Sequence, residues 1–144
     1  MIENKTHRQT SKCYCTKIRQ ASKALTQYYI ETMQPSGLKI TQFALLSHIK
    51  RLGPLTMNEL SDAMNLERTT LVRNLKPLEK KKLIRILSQK NSKAYLIQLT
   101  HEGEKTLTKA MPYWHQAQAS IEELLTKEEF EILEEILRKF MTIN

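Results

Sequence analysis

One stretch of the chain carries side chains that could recognise nucleic acid. It reads LERTTLVRNLKPLEKKKLI and spans residues 66–84. On a helix, Leu71, Leu75 and Leu78 of this stretch fall within about 60° of one another, which predicts one buried side. The opposite side carries Thr69, Arg73, Lys76 and Lys80, with Thr70 and Pro77 at one margin.

These residue types suit the major groove of DNA. An arginine can donate two hydrogen bonds to a guanine edge, and a threonine can bond a phosphate or contact a thymine methyl. Basic residues farther along the helix better suit phosphates. The candidate DNA-binding residues, including two in the segment that follows, are therefore Thr69, Thr70, Arg73, Asn74, Lys76, Lys80, Lys90 and Lys93.

Charge is distributed unevenly along the chain. The net charge is +8, and residues 67–93 hold nine basic against two acidic side chains, which is about +7. Residues 120–144 instead hold seven Glu against three basic residues, giving −4. Such asymmetry favours a localised face for an acidic partner, such as nucleic acid or a membrane surface. Charge alone leaves an ordinary solvated surface as the alternative.

The elements around the basic helix follow the order of a winged helix. Thr56 and Glu59 have the spacing of a capping box, which predicts a short helix over MNELSDAM. Asn65 tolerates the left-handed turn that joins this helix to the basic one. After the basic helix the apolar period changes from 3.6 to 2, so IRILS and YLIQL are predicted strands. The polar loop QKNSKA between them places Lys90 and Lys93 at the tip of a hairpin.

Pro77 lies inside the predicted basic helix. A proline there removes one backbone hydrogen bond and crowds a carbonyl, at about 3 kcal/mol in a helix interior. A helix that ended at Lys76 would avoid this. Because the apolar stripe continues through Leu78, we expect a kinked helix that runs on past the proline.

Longer helices flank this segment on both sides. Apolar residues spaced by three to four predict a first helix over residues 12–33, and Thr41 is the expected N-cap of the next one. After the hairpin, Thr100 should cap a helix over roughly residues 101–124, and Thr126 should open a final helix. The chain is therefore expected to be mainly α with a small two-stranded β-wing.

Several other classes of protein lack support in the sequence. No segment approaches the ~18 apolar residues of a membrane span, and residues 1–10 lack the apolar core of a signal peptide, so a cytoplasmic protein is expected. The three glycines do not cluster into a phosphate-binding loop. No nucleophile–base pair is visible either, so neither an enzyme nor a cofactor is expected. No metal-ligand spacing joins the four histidines, which are His7, His48, His101 and His115.

Several strings, taken together, resemble the multiple-antibiotic-resistance regulator (MarR) family. They are GLKITQFALLSHI, GPLTMNELSDAMNLERTTLVRNLKPLEKKKLI and IQLTHEGEKTL. The combination of CYC, RTTLVRNLKPLE and PYWHQAQ resembles a subgroup with paired N-terminal cysteines. The resemblance implies a homodimeric winged helix-turn-helix regulator that binds a pseudo-palindromic site on double-stranded DNA and acts as a ligand- or redox-responsive repressor.

The resemblance also implies how the chain is organised. A single domain would span residues 1–144. Residues 12–33 and 101–144 would form a helical dimerisation lobe, and residues 38–100 would form the winged helix-turn-helix lobe that binds DNA. The competing interpretation is an architectural winged helix that binds nucleic acid without discriminating between sequences.

Carried over by position, the family's base-reading residues correspond to Thr69, Thr70 and Arg73, and its wing-tip cation corresponds to Lys93. Family wings usually have an Asp and an Arg two residues apart, where this chain has Asn91 and Lys93. Lysine lacks the planar fork of arginine. Readout of the minor groove should therefore be weaker here, or simply electrostatic.

Cys13 and Cys15 are the most suggestive candidates for sensing a signal. Two residues apart, they would point ~200° away from each other on a helix, so a disulfide or metal site between them needs a frayed helix start. Either thiol could instead bond to the partner subunit. The basic residues nearby, Lys12, Lys17 and Arg19, should favour the thiolate, and so should the N-terminus of the helix for a cysteine in its first turn. Two small side chains packed at a dimer interface are the alternative.

A small-molecule effector is a further partner that the resemblance implies, because family members often sense small aromatic acids, oxidants or metals. The resemblance places a ligand cleft between the dimerisation lobe and the DNA-binding lobe. The candidates for lining it are Tyr28, His48 and Trp114.

Overall fold

Six α-helices and three short strands form residues 11–143, the part of the chain that the computed structural model describes. In chain order the elements are α1 (Tyr14–Met33), a 3-10 turn (Gln34–Ser36), α2 (Ile40–Leu52), β1 (Leu55–Thr56), α3 (Met57–Met64), α4 (Arg68–Lys80), β2 (Ile84–Ser88), β3 (Tyr95–Leu99), α5 (His101–Glu122) and α6 (Lys127–Met141). The predictions about a signal peptide and His7 concern residues outside this range.

The predicted hairpin is confirmed at the predicted residues. β2 and β3 pair antiparallel, with Ile84 opposite Leu99. β1 pairs with the other side of β3, where Leu55 lies opposite Ile97, so the sheet has the order β1-β3-β2. The sheet thus has three strands where the sequence predicted two. A strand of two residues is too short to show an alternating pattern, which explains why β1 was missed.

One apolar core fixes α4 in place. Leu71, Leu75 and Leu78 are at most 1% exposed, which confirms the predicted buried side. They belong to the same buried cluster as Leu60 of α3 and Ile97 of the central strand. Burying a large apolar side chain contributes about 1.5–3 kcal/mol. The three leucines therefore hold α4 against α3 and the sheet, and its polar side is left outward.

α4 runs past Pro77 to Lys80, as the apolar stripe predicted. It ends where Lys82 adopts a left-handed conformation with φ of 60°. There the Lys82 N–H donates to the carbonyl of Glu79, and the Leu83 N–H donates to the carbonyl of Leu78, both at 2.9 Å. This is a Schellman motif, which usually has glycine at the left-handed position. The turn leads directly into β2.

Three predicted helix caps are confirmed. Thr56 Oγ1 accepts from the Glu59 N–H at 3.2 Å, and the Glu59 carboxylate accepts from the Thr56 N–H at 2.9 Å. Thr126 and Glu129 form the same reciprocal pair at the start of α6. Thr100 Oγ1 accepts from the Gly103 N–H at 3.0 Å. These caps satisfy amides at the helix starts that have no partner inside the helix.

The prediction that Thr41 caps α2 was wrong. The N-cap is Lys39, and the helix begins at Ile40. The Lys39 N–H donates to Gln42 Oε1 at 3.1 Å, so the glutamine at the third helical position supplies the capping bond. Thr41 consequently lies inside the first turn, where its hydroxyl is not needed as a cap.

Two helix ends also differ from the predicted bounds. α1 begins at Tyr14 rather than residue 12, because Ser11 Oγ accepts from the Cys13 N–H at 3.1 Å and Cys13 stays extended. α5 ends at Glu122 rather than residue 124. The apolar pattern in the sequence is weak at the ends of helices, so offsets of one or two residues are expected there.

Candidate DNA-binding surface

The polar side of α4 is continuous and accessible. Thr69, Arg73, Lys76 and Lys80 are exposed, and Thr70 and Asn74 are half-buried at the margins. The structure therefore places Thr69, Arg73, Lys76 and Lys80 together on the side opposite the buried leucines, with Thr70 and Asn74 at its margins. Thr69 and Arg73 are one turn apart near the start of the helix, which is where a helix in the major groove contacts base edges.

The basic residues of this surface have no carboxylate partner within the described part of the chain. Over residues 11–143 the ion pairs are Lys105 with Glu102 and Lys139 with Glu135, both outside this surface. Unpaired cations in one region attract an anionic partner and release counterions when it binds. The charge asymmetry seen in the sequence thus corresponds to an unneutralised surface.

The turn between α3 and α4 has the predicted geometry. Asn65 is left-handed, with φ of 50° and ψ of 47°. The Ser61 hydroxyl donates to the carbonyl of Leu66 across the turn, and the Leu66 N–H donates to the carbonyl of Ser61 at 3.1 Å. α3 is therefore tied to the start of α4, and the helix-turn-helix predicted from the sequence is confirmed.

The hairpin places Lys93 beside the start of α4. Asn91 at the tip is left-handed, with φ of 65°, and Ser92 Oγ accepts from the Ala94 N–H at 3.1 Å. Lys90 and Lys93 are both exposed. Lys93 lies on the returning side of the hairpin, where it lines a groove with Arg68 of α4. Arg68 was not among the candidates, although its place at the start of a basic helix was visible in the sequence.

The three candidate effector residues have separate environments. Tyr28 lines an apolar groove of about 550 Å³ between α1 and α5. Trp114 stacks on Phe43, with ring centroids 5.7 Å apart and planes at 21°. His48 Nδ1 lies 2.8 Å from the carbonyl of Ala44, one turn back in α2. Each side chain already has neighbours from within the chain, so their roles in ligand binding stay predictions.

Cys13 and Cys15 are both exposed free thiols at the start of α1. Cys13 is the N-cap, with φ of −74° and ψ of 119°, so it is not helical and the ~200° separation expected on a helix does not apply. Hydrogen bonding to Thr16, first through its backbone N–H and then through its side chain, lowers the pKa of the Cys13 thiol below its usual value. The largest cause is thus a backbone amide at the start of the helix, in agreement with the expected effect of the helix N-terminus.

Two further observations bear on the class of protein. Over residues 11–143, no three His, Cys, Asp or Glu side chains cluster in a way that could hold a metal ion. Within the same range, every helix is too short or too polar to cross a membrane.

Known proteins resemble this chain across both its sequence and its fold. The sequence pattern of the MarR family matches residues 36–93. YwoH, a helix-turn-helix-type transcriptional regulator of Bacillus subtilis, is 28% identical over 89 residues, which is 62% of this chain and 65% of that protein. Another helix-turn-helix-type transcriptional regulator, from Bacillus cereus, is 32% identical over 110 residues, which is 76% of this chain and 74% of the relative.

A solved structure extends the comparison. The transcriptional regulator MosR of M. tuberculosis, crystallised in complex with DNA, is 33% identical with a TM-score of 0.78. The likeness covers 88% of this chain and 92% of MosR, so it includes the long helices as well as the winged helix. The chain therefore belongs to the MarR family of winged helix-turn-helix transcriptional regulators.

Proposed function

We propose that this protein is a homodimeric transcriptional regulator that binds specific double-stranded DNA sites. The observation that carries the proposal is the polar side of α4, where exposed Arg73 and Thr69 face outward from a buried row of leucines. α4 would enter the major groove, and the hairpin would reach the minor groove beside it. The DNA bound to MosR supports this assignment.

The proposed dimer rests on apolar surface that one copy of the chain leaves uncovered. α6 has no buried residue, yet Leu133, Ile136 and Phe140 lie on one of its sides and are 37–45% exposed. The apolar groove between α1 and α5 adds Leu25 and Ile121. Exposed apolar surface of this kind marks an interface, and two identical subunits most often pair about a two-fold axis. We therefore assign residues 12–33 and 101–144 to the dimerisation lobe.

The dimer dictates the form of the DNA site. Residues 38–100 of each subunit would bind one half-site, and a two-fold axis makes the two half-sites inverted repeats. Recognition helices in adjacent major grooves require half-site centres about 10 base pairs apart. The expected target is thus a pseudo-palindrome. Action on DNA would place the protein in the cytoplasm, and we infer regulation rather than catalysis because family and fold are those of regulators.

Substitution of Arg73 separates specific recognition from binding by charge. Arg73→Ala should remove a bidentate contact to a base, at ~1–3 kcal/mol per half-site, and relax discrimination at one base pair. Lys93→Ala should weaken binding to specific and random DNA by similar factors. It should also reduce the salt slope, which is the slope of log binding constant against log salt concentration, by about one unit for each phosphate that Lys93 neutralises. Affinities for the preferred duplex and for random DNA, measured over a salt series, give both quantities.

The controls for this pair are folding and dimerisation equal to those of the parent protein. If Arg73→Ala lowered the affinity for every sequence by the same factor, α4 would hold DNA without recognising bases. The interpretation as a specific regulator would then lose its main physical support.

Thiol sensing is the second candidate function, favoured by the lowered pKa of exposed Cys13. The Cys13 thiolate would attack a peroxide oxygen, breaking the O–O bond to give a sulfenic acid and hydroxide. A second thiol, Cys15 or one from the partner subunit, would then displace water to form a disulfide.

Peroxide should therefore weaken DNA binding by the parent protein, and a reductant should restore it. The double Cys13→Ser, Cys15→Ser variant should bind DNA as the reduced parent does and ignore peroxide. Gel-shift titrations of both proteins with and without peroxide provide the measurement. An equal response from the two proteins would make the cysteines structural.

A further inference from the structure

A groove separates the hairpin from the helix-turn-helix. Its volume is about 300 Å³, and residues from three regions of the chain line it. We call it the wing groove and define it by Thr56, Asn58, Arg68, Ile86, Lys93 and Tyr95. These residues come from the start of α3, the first position of α4, and both strands of the hairpin with its returning loop.

The wing groove is positively charged. Arg68 and Lys93 contribute two cations, and none of the described residues that line it is acidic. Neither cation lies within 4.0 Å of a carboxylate among residues 11–143. Asn58 and Tyr95, whose side chains carry neutral polar groups, also line the groove. A concave site with two unpaired cations and neutral donors is suited to a phosphate oxygen.

The position of the groove relates it to DNA. If α4 enters the major groove and the hairpin enters the neighbouring minor groove, one sugar-phosphate strand must pass between them. The surface between α4 and the hairpin is the wing groove itself, because Arg68 belongs to one of these elements and Lys93 to the other. The strand that divides the two DNA grooves would therefore cross it.

We propose that the wing groove holds one backbone phosphate of each DNA half-site, between the Arg68 guanidinium and the Lys93 ammonium. This inference rests on the proposed DNA-binding function. It adds that the bound phosphate fixes the position of α4 along the DNA. Arg68 is then a positioning residue, because a phosphate carries no sequence information but sets where Arg73, farther along α4, meets the bases. Arginine suits this role because its planar fork can contact two phosphate oxygens at once.

A phosphate-by-phosphate coupling experiment tests the assignment. The parent protein first selects its preferred duplex from a random pool. That duplex is then synthesised in a series, with one phosphate at a time replaced by an uncharged methylphosphonate. Each duplex is titrated with the parent protein, Arg68→Ala and Arg68→Gln. Arg85→Ala is the matched control, since Arg85 is an exposed arginine of β2 that does not line the groove.

Arg68→Ala and Arg68→Gln should each lower affinity about tenfold or more per half-site, as expected when a charged hydrogen bond is removed. The salt slope should fall by about 0.9 for each phosphate that is no longer neutralised. One phosphate per half-site, between the major-groove and minor-groove contacts, should behave differently from the others. Once this phosphate is replaced by a methylphosphonate, the Arg68 variants should cause no further loss of affinity. Arg85→Ala should not couple to that phosphate.

The outcomes separate this inference from the function on which it rests. If Arg68→Ala weakened every methylphosphonate duplex by the same factor, Arg68 would act only through the general field, and the wing groove would hold no particular phosphate. That result would leave specific DNA binding intact, because parent selectivity is measured on the unmodified duplex. If the parent selected no duplex from the pool, the proposed function would fail and the assignment would fall with it. Circular dichroism melting of both Arg68 variants verifies their fold.

Discussion

Leu133→Glu is expected to convert the proposed dimer into monomers. Leu133 lies on the apolar side of α6 and is 37% exposed in one subunit. Covering its remaining exposed surface contributes roughly 0.5–1 kcal/mol, about a third of the value for full burial, and forcing a carboxylate into the same place adds a desolvation penalty of several kcal/mol. A two-fold axis applies the change twice. The dimer dissociation constant should therefore rise by at least about 10⁴-fold, at 1.4 kcal/mol for each factor of ten.

DNA binding should fall with dimerisation, because a monomer contacts one half-site only. Sedimentation at micromolar concentration gives the oligomeric state, and gel shifts give the affinity for the pseudo-palindrome. Arg138→Glu is the matched control, since it changes charge more strongly on the opposite side of α6 and should leave the dimer intact. A Leu133→Glu protein that still sedimented as a dimer would show that α6 is not part of the interface.

The fold was largely predictable where side-chain periodicity is strong. The leucines at 71, 75 and 78 gave α4 its buried side, and the alternation after residue 83 gave β2 and β3 their bounds. Both signals arise because burial selects apolar residues at the repeat of the element. The strand β1 and the cap of α2 left no such pattern in the sequence. β1 has two residues, and α2 is capped from inside by Gln42 rather than by a residue of the usual capping type.

The candidate site shows the same division. The residues of α4 that are proposed to face the bases lie on one helix, so helical geometry alone placed Thr69 and Arg73 together. The wing groove could not be obtained in this way, because Asn58, Arg68 and Lys93 are far apart in sequence and meet only in the folded lobe. The left-handed Lys82 was also hidden, since glycine is the usual signal for that conformation.

Gly103→Ala is expected to destabilise the protein, although the helical setting alone predicts the opposite. In an unconstrained helix interior, alanine is favoured over glycine by roughly 1 kcal/mol. At Gly103, however, an added Cβ would overlap the carbonyl oxygen of Leu83 and would lie 3.2 Å from Leu99 Cδ2. The approach to the Leu83 oxygen is closer than real Cβ atoms tolerate, so α5 or the chain at Leu83 would have to move.

That movement is resisted from both sides. The Leu83 carbonyl accepts from the Thr100 N–H at 3.1 Å, and the Leu83 N–H belongs to the motif that ends α4. The Thr100 hydroxyl donates to the Lys82 carbonyl at 2.6 Å and also caps α5. Because backbone atoms cannot rotate away as a side chain would, we expect the free energy of unfolding to fall by about 3 kcal/mol, the upper part of the usual range for overpacking.

Urea unfolding of Gly103→Ala, with Glu104→Ala as a control at an exposed position of the same turn, measures this decrease. A higher unfolding midpoint for Gly103→Ala would mean that helix propensity outweighs the close approach. A lower midpoint, accompanied by weaker DNA binding under conditions where the variant is still folded, would have a further meaning. It would show that the contact of α5 with the end of α4 sets the angle between the dimerisation helices and the recognition helix. The half-site spacing would then depend on one backbone contact at Gly103, far from any residue proposed to touch DNA.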